Sequence, residues 1–345
     1  MIFGLKRDKS RRLLDSLTEA ALVVRGATVT MSNLAARDLL GVAIEGVDVR
    51  QVIPHPAVIE RLLRGNLRGP EEVEVAGIGG SRRHWLARIA PLGDGAIIVR
   101  LFDRSEMRAA EQMRVDFVAN ASHELRTPLS TLIGYAETLR ERSGDIDGET
   151  HQRFLSIVHD EARRMQRVVE DLISLSRIEA EKFTTPTEAV DLGQLIEVAL
   201  ESARRTAEER NSQLVADWPA DLPPIAADSG QILQLLDNLI VNALRYGEPG
   251  TPVTVTAQHE GGMVHLAITD EGEGIAPEHI GRITERFYRV DNSRSRAIGG
   301  TGLGLSIVKH IVERHRGRLN VESEVGKGTT MHVLLPVAAQ DPRES

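Results

Sequence analysis

The sequence predicts an α+β protein of two or three domains, on three observations. At 345 residues the chain exceeds one ordinary core. Its texture changes twice: mixed short strands and helices up to about residue 103, two long heptad-patterned helices to 183, then helices and strands punctuated by glycine. Apolar content of 41% is that of a folded protein, and aromatics at 3% imply cores of Leu, Val, Ile and Ala.

Residues 1–12 form a basic lead-in. Over 13–103, AALVV and ATVTM predict strands around a turn at Arg25-Gly26, SNLAARDLLG a short helix, and RRHWLARIAPL and GAIIVRLFD later strands. From Arg104 a helix carries a seam at Val118, Ala121, Leu125, Pro128, Leu132, Tyr135 and Leu139, alternating steps of three and four. SGDIDGE (143–149) breaks it, and Leu155, Val158, Ala162, Met165, Val169 and Leu172 mark a second helix. A hairpin with one apolar stripe per helix needs a partner, and two copies forming a four-helix bundle, hence a homodimer, is the simplest solution. TTPTEAVDLG (184–193) reads as a linker and hinge, residues 184–338 as a further α/β domain, and 339–345 as a disordered tail.

Composition excludes several classes of function. A net charge of −8 offers no basic excess for general nucleic-acid binding. The absence of cysteine excludes disulfides, thiolate catalysis, cysteine zinc sites and flavin–cysteinyl photochemistry, and fits a cytoplasmic setting. No apolar run reaches the roughly 18 residues of a membrane span, and the N-terminus lacks a signal-peptide core. Membrane association would have to come through a partner. His55 and His84 read as surface histidines rather than haem ligands.

His123 carries the first candidate chemistry. With Val118 at heptad position a, it falls at f, on the face away from the core. Glu124 adjoins it, Thr127 lies one turn on, and Pro128 then removes a backbone donor at a cost of about 3 kcal/mol. A neutral imidazole is a nucleophile, a neighbouring carboxylate can take its proton, and a hydroxyl one turn away can position water. DFVANASHELRTPL (116–129) and RMQRVVEDLISLSRIEA (164–180) resemble the phosphoacceptor hairpin (HisKA) of bacterial two-component sensor histidine kinases.

Three further boxes suit a nucleotide. In QLLDNLIVNALRY (234–246), Asn238 and Asn242 share a helix face, an arrangement suited to Mg²⁺, with Arg245 for phosphate and Tyr246 for stacking on a purine. AITDEGEGI (267–275) brings Asp270, Gly272 and Gly274 to a strand end, where the aspartate can accept from an adenine amino group. GGTGLGLSIVKHIVE (299–313) leads a glycine loop, with Gly300, Thr301, Gly302, Leu303 and Gly304, into a helix N-terminus that can cradle phosphates. GKGTT (326–330), with Thr329, adds a turn between strands. Neither the phosphate loop nor the dinucleotide fingerprint is matched.

In order and spacing these boxes resemble the ATP-binding fold (HATPase_c, Bergerat/GHKL) of histidine kinases, type II topoisomerases, Hsp90-type chaperones and mismatch-repair ATPases. The resemblance implies an α/β sandwich with a mixed sheet, adenine on Asp270, Mg²⁺ on Asn242, Asn238 beside the triphosphate, and a lid over 276–300. ERFYRVD (285–291) resembles the kinase aromatic box, with Arg289 reaching the γ-phosphate. Hydrolysing members carry a glutamate where this chain has Asn238, which favours a kinase over an ATPase. SNLAARDLLG after a strand resembles a PAS sensor domain, and the domain order is similar to that of the phosphate-regulon (PhoR-like) sensor kinases, from which this chain departs in lacking membrane helices.

The resemblance implies autophosphorylation on His123, transfer to an aspartate of a response regulator of the OmpR/PhoB kind, and phosphatase action through Thr127. Two other classes stay open: a silent scaffold that binds ATP as a conformational ligand, and a superfamily ATPase acting as chaperone or repair factor.

Overall fold

The computed structural model describes residues 2–64, 67–78, 83–141, 146–181, 183–290 and 300–338, in two compact units, Met1–Asp116 and Phe117–Ser345. The tail expected at 339–345 lies outside the described residues, as do residues 143–145 of the expected turn and 291–299 of the expected lid.

The first unit contains α1 (Ile2–Asp15), β1 (Ala20–Arg25), β2 (Thr28–Ser32), α2 (Leu34–Leu40), α3 (Val49–Val52), α4 (Pro56–Leu63), β3 (Glu71–Ala76), β4 (His84–Gly93) and β5 (Ala96–Asp103). The strands form an antiparallel sheet in the order β2-β1-β5-β4-β3. Alternation along β1 decides what each face meets. Ala20, Leu22 and Val24 enter the core shared with α2, α3 and α4, whereas Ala21 and Val23 pack with Leu14 of α1 and Ala96. Asn33 fixes the entry to α2: its Oδ1 accepts from Ala36 N and Ala21 N at 2.9 Å each, and its amide donates to the carbonyls of Leu17 and Glu19. Sequence reading omits β3, whose EEVEVA is rich in a residue depleted from strands, although its alternation is regular.

Two long helices follow, α5 (Ser105–Glu141) and α6 (Gly148–Ala180), the second capped by Asp147 on Thr150 N at 2.9 Å. They meet in part through Tyr135 and Phe154, edge-on at 4.9 Å. α5 runs on through Pro128. Beyond α6 come β6 (Ala189–Val190), α7 (Leu192–Glu209), β7 (Gln213–Asp217), β8 (Ile225–Ala226), α8 (Ser229–Tyr246), β9 (Pro252–Glu260), β10 (Met263–Asp270), α9 (Pro277–Ile280), α10 (Gly304–Arg314), β11 (Arg318–Glu324) and β12 (Gly328–Pro336). The sheet runs β11-β12-β10-β9-β7, with β7 parallel to β9 and the other pairs antiparallel. α7, α8 and α10 supply Ile196, Leu235, Leu239, Ile307 and Ile311 to a core completed by Val255, Leu266 and Val333 of the sheet. This is the two-layer α/β sandwich with a mixed sheet.

Two features depart from the sequence reading. First, α6 carries more than one stripe. Arg164, Val168, Leu175 and Ile178 are buried, and Leu175 and Ile178 belong to the core of the α/β sandwich. With Asp171 these positions repeat at steps of four and three, each of the first three lying one residue before a seam position, so the stripe merges with the seam when only apolar letters are counted. Second, the expected hinge at 184–193 is fastened to the sandwich. Thr184 O accepts from Arg314 Nε at 3.2 Å, Thr185 Oγ1 accepts from Arg316 Nε at 3.1 Å, Glu188 O accepts from Ala227 N at 2.9 Å, and β6 pairs with β8. Among the described residues no helix is long and apolar enough to cross a membrane.

Candidate active site

His123 projects from α5 into solvent, and its ring makes no hydrogen bond to any described residue. The heptad phase puts it there. Thr127 Oγ1 donates to His123 O at 3.3 Å, a local bond within the helix. The adjacent Glu124 is half-buried beside two cations. Its Oε2 accepts from Arg164 Nη2 of α6 at 3.3 Å and lies 3.8 Å from Arg289 Nη1.

The nucleotide boxes converge at one end of α8 and α10. β10 ends at Asp270, whose carboxylate accepts the backbone N–H groups of Thr329 and Gly272 while burial pushes its pKa up to about 6. Gly272 pairs with Gly247 at the end of α8, and Glu248 N donates to Glu271 O at 3.0 Å, so this turn is stitched to the helix that carries the asparagines. Gly274 adopts φ +67°, and a side chain there would collide with the Glu324 carbonyl, so only glycine fits. Around the loop before α10, a Cβ on Gly300 would lie 3.5 Å from both Arg245 Nη1 and the Tyr246 hydroxyl and 3.8 Å from Arg289 Nη2. A Cβ on Gly304 would lie 2.8 Å from Asn238 Oδ1. Gly302 O accepts from Phe287 N at 2.8 Å, and Leu303 is fully buried, its N–H donating to Thr301 Oγ1 at 3.2 Å.

Thus Asn238, Arg245, Tyr246, Arg289, Gly300 and Gly304 come together, Asp270, Gly272 and Thr329 form an adjoining wall, and Glu124 reaches this group through Arg289. Burial lowers the pKa of Arg245, and its neighbours Arg167 and Arg289 act in the same direction. Such crowded cations fit a polyphosphate. Asn242 lies one turn before Tyr246, and its amide makes no hydrogen bond to any described residue, leaving its oxygen available to a hard cation.

Sequence reasoning missed a second group. Asp171 of α6 accepts from Thr301 Oγ1 at 2.7 Å, and burial raises its pKa. Ser174 Oγ donates to Gln234 Oε1 at 2.6 Å, and Arg286 pairs with Glu179. Phe287, held at φ +62°, sets its ring 5.9 Å from Phe117. Thr301 and the ERFYRVD box were visible in the sequence, whereas their partners on α6 were signalled only by the polar Asp171 within the second stripe.

Comparison with known proteins agrees with this geometry. The family described as "Histidine kinase-, DNA gyrase B-, and HSP90-like ATPase" matches residues 227–339, and the "His Kinase A (phospho-acceptor) domain" matches 113–181. The fold and site therefore define an ATP-dependent protein-histidine kinase. The phosphate regulon sensor protein PhoR of Pseudomonas aeruginosa is 33% identical over 335 residues, 94% of this chain and 75% of that protein. Sensor protein SrrB of Staphylococcus aureus is 36% identical over 257 residues, 73% of this chain and 43% of that protein, so this chain spans under half of SrrB. Among solved structures, histidine kinase ThkA in complex with response regulator protein TrrA aligns with TM-score 0.52 at 19% identity, covering 96% of this chain and 99% of that one. The Acinetobacter baumannii histidine kinase AdeS aligns with TM-score 0.50 at 24% identity, over 63% of this chain and 98% of that one. The chain belongs to the sensor histidine kinase family of two-component systems.

Proposed function

We propose that this kinase phosphorylates itself on His123 and passes the phosphoryl group to an aspartate of a response regulator. One observation carries this reading: solvent-exposed His123 adjoins Glu124, whose carboxylate lies 3.8 Å from Arg289 in the nucleotide boxes. The neutral ring attacks the γ-phosphorus of ATP in line. An N–P bond forms, the P–O bond to ADP breaks, and Glu124 takes the ring proton. Asp270 accepts from the adenine amino group and Tyr246 stacks on the purine. Gly272, Gly274 and Thr329 shape the wall beside the base, and the loop of Gly300, Thr301, Gly302, Leu303 and Gly304 cradles the phosphates with Asn238 alongside. Asn242 would hold Mg²⁺, which would supply neutralisation of phosphate charge, and Arg245 and Arg289 meet the phosphates from the protein side.

Thr127 orients water when the protein acts as a phosphatase of its regulator, for which the OmpR/PhoB kind is the expected partner. ATP as the donor places the catalytic module in the cytoplasm. The division into 13–103 as a PAS-like sensor, 104–183 as dimerisation and phosphoacceptor domain and 184–338 as catalytic domain is supported in its first part by the strand order β2-β1-β5-β4-β3 with three helices between β2 and β3. Exposed Val118, Leu129, Ile133, Val169 and Ile173 on the hairpin support a homodimer.

The test is labelling with [γ-³²P]ATP. The parent is expected to form an acid-labile, base-stable phosphoramidate, and His123→Gln to form none while still binding ATP. Persistent labelling of His123→Gln would refute the assignment.

A further inference from the structure

Arg164 is a buried charge that the reaction as described does not use. Its side chain is 9% exposed, in a hairpin whose seam is apolar. Burying a guanidinium is costly unless it is paired. Its partners are Glu124 Oε2 at 3.3 Å on the facing helix and Glu161 Oε2 at 3.8 Å on its own, and its Nε is buried without a hydrogen-bond partner. A residue kept only to knit the hairpin would be better replaced by an apolar one of similar volume.

The geometry around Glu124 suggests what the charge does. Arg164 Nη2 and Arg289 Nη1 both approach Oε2, and no described residue donates to Oε1. A carboxylate held by one oxygen keeps its other oxygen as an acceptor. Arg289 belongs to the nucleotide boxes and is the γ-phosphate ligand in the reading above. Once it turns to phosphate, Arg164 is the cation still facing Oε2.

We infer that Arg164 is a positioning residue for autophosphorylation: it holds Glu124 by Oε2 so that Oε1 is presented to the His123 ring. This deepens, and rests on, the reading of Glu124 as the base. Because Arg164 acts through Glu124 and lies outside the nucleotide boxes, its loss lowers kcat and spares KM for ATP.

The experiment is a double-variant cycle on the full-length protein, with dimerisation checked by sedimentation and ATP affinity by titration. Arg164→Met is expected to slow autophosphorylation on the order of 10- to 100-fold, within the range of general-base effects, with KM for ATP unchanged. In the Glu124→Gln background the same substitution is expected to cost nothing more, because the group it positions is already gone. A loss that multiplies in the double variant, or one that appears in KM, overturns the proposal. If Glu124→Gln alone runs at the parent rate, the base reading is what fails, and the cycle distinguishes the two. Should Arg164→Met fail to fold, Arg164→Lys carries the same cycle. A slowed rate whose deficit vanishes with Glu124→Gln supports the positioning role, and either no loss or a persisting loss overturns it.

Discussion

Asp270 binds a proton more tightly in the folded chain than free aspartate does, and that fixes the direction of two pH effects. Its pKa rises from 3.8 to about 6 through burial. Between these values the native state holds a proton that the unfolded state has released, so this group's contribution makes the protein more stable as pH falls through that window and less stable as pH rises. Adenine needs the ionised acceptor. Nucleotide affinity is therefore expected to drop as pH falls through about 6, and Asp270→Asn to weaken binding and flatten this dependence, both measured by titration calorimetry across pH. At Gly274, alanine must carry φ +67° and meet the Glu324 carbonyl. Gly274→Ala is expected to destabilise by more than about 1 kcal/mol in denaturant unfolding, and a neutral result would show that this turn can relax. Residues of this kind were legible because short motifs fix them: His123 by heptad phase, Asp270 and the glycines by their place at a strand end. Arg164 and Asp171 were not, because their partners Glu124 and Thr301 lie 40 and 130 positions away in sequence.

At the scale of elements, three helix starts carry a local signal. Asp147, Asp191 and Asp228 cap α6, α7 and α8. What periodicity alone did not separate was the second face of α6. Leu175, fully buried beyond the last residue of the expected bundle seam, Leu172, lies in the sandwich core. Leu175→Ala is expected to cost about 2–5 kcal/mol, detected as a shift of the unfolding midpoint of the sandwich. Were Leu175 only a bundle residue, the loss would appear in dimerisation instead. β3 escaped for a different reason, since its glutamates face outward and carry no hydrophobic signal.

For the whole molecule, two expectations concern its assembly and its cut points. A charge on the exposed stripe, as in Ile133→Asp, is expected to dissociate the dimer in sedimentation while leaving ATP binding intact. A fragment beginning at residue 184 is expected to melt below one beginning at 117, because it lacks Leu175 and Ile178 from its own core. The change of texture at 184 does not coincide with the start of the sandwich core, which already includes Leu175 and Ile178, since a helix shared by two layers has no compositional edge.

The fastening of residues 184–190 to the sandwich has a mechanical consequence. A segment tied down by Arg314, Arg316 and a strand pairing cannot serve as a slack leash for a travelling catalytic head. Any movement of the sandwich along the shaft of α6 has to break the contacts of Asp171, Ser174 and Glu179 and uncover Leu175 and Ile178, so polar grip and apolar burial together hold this posture.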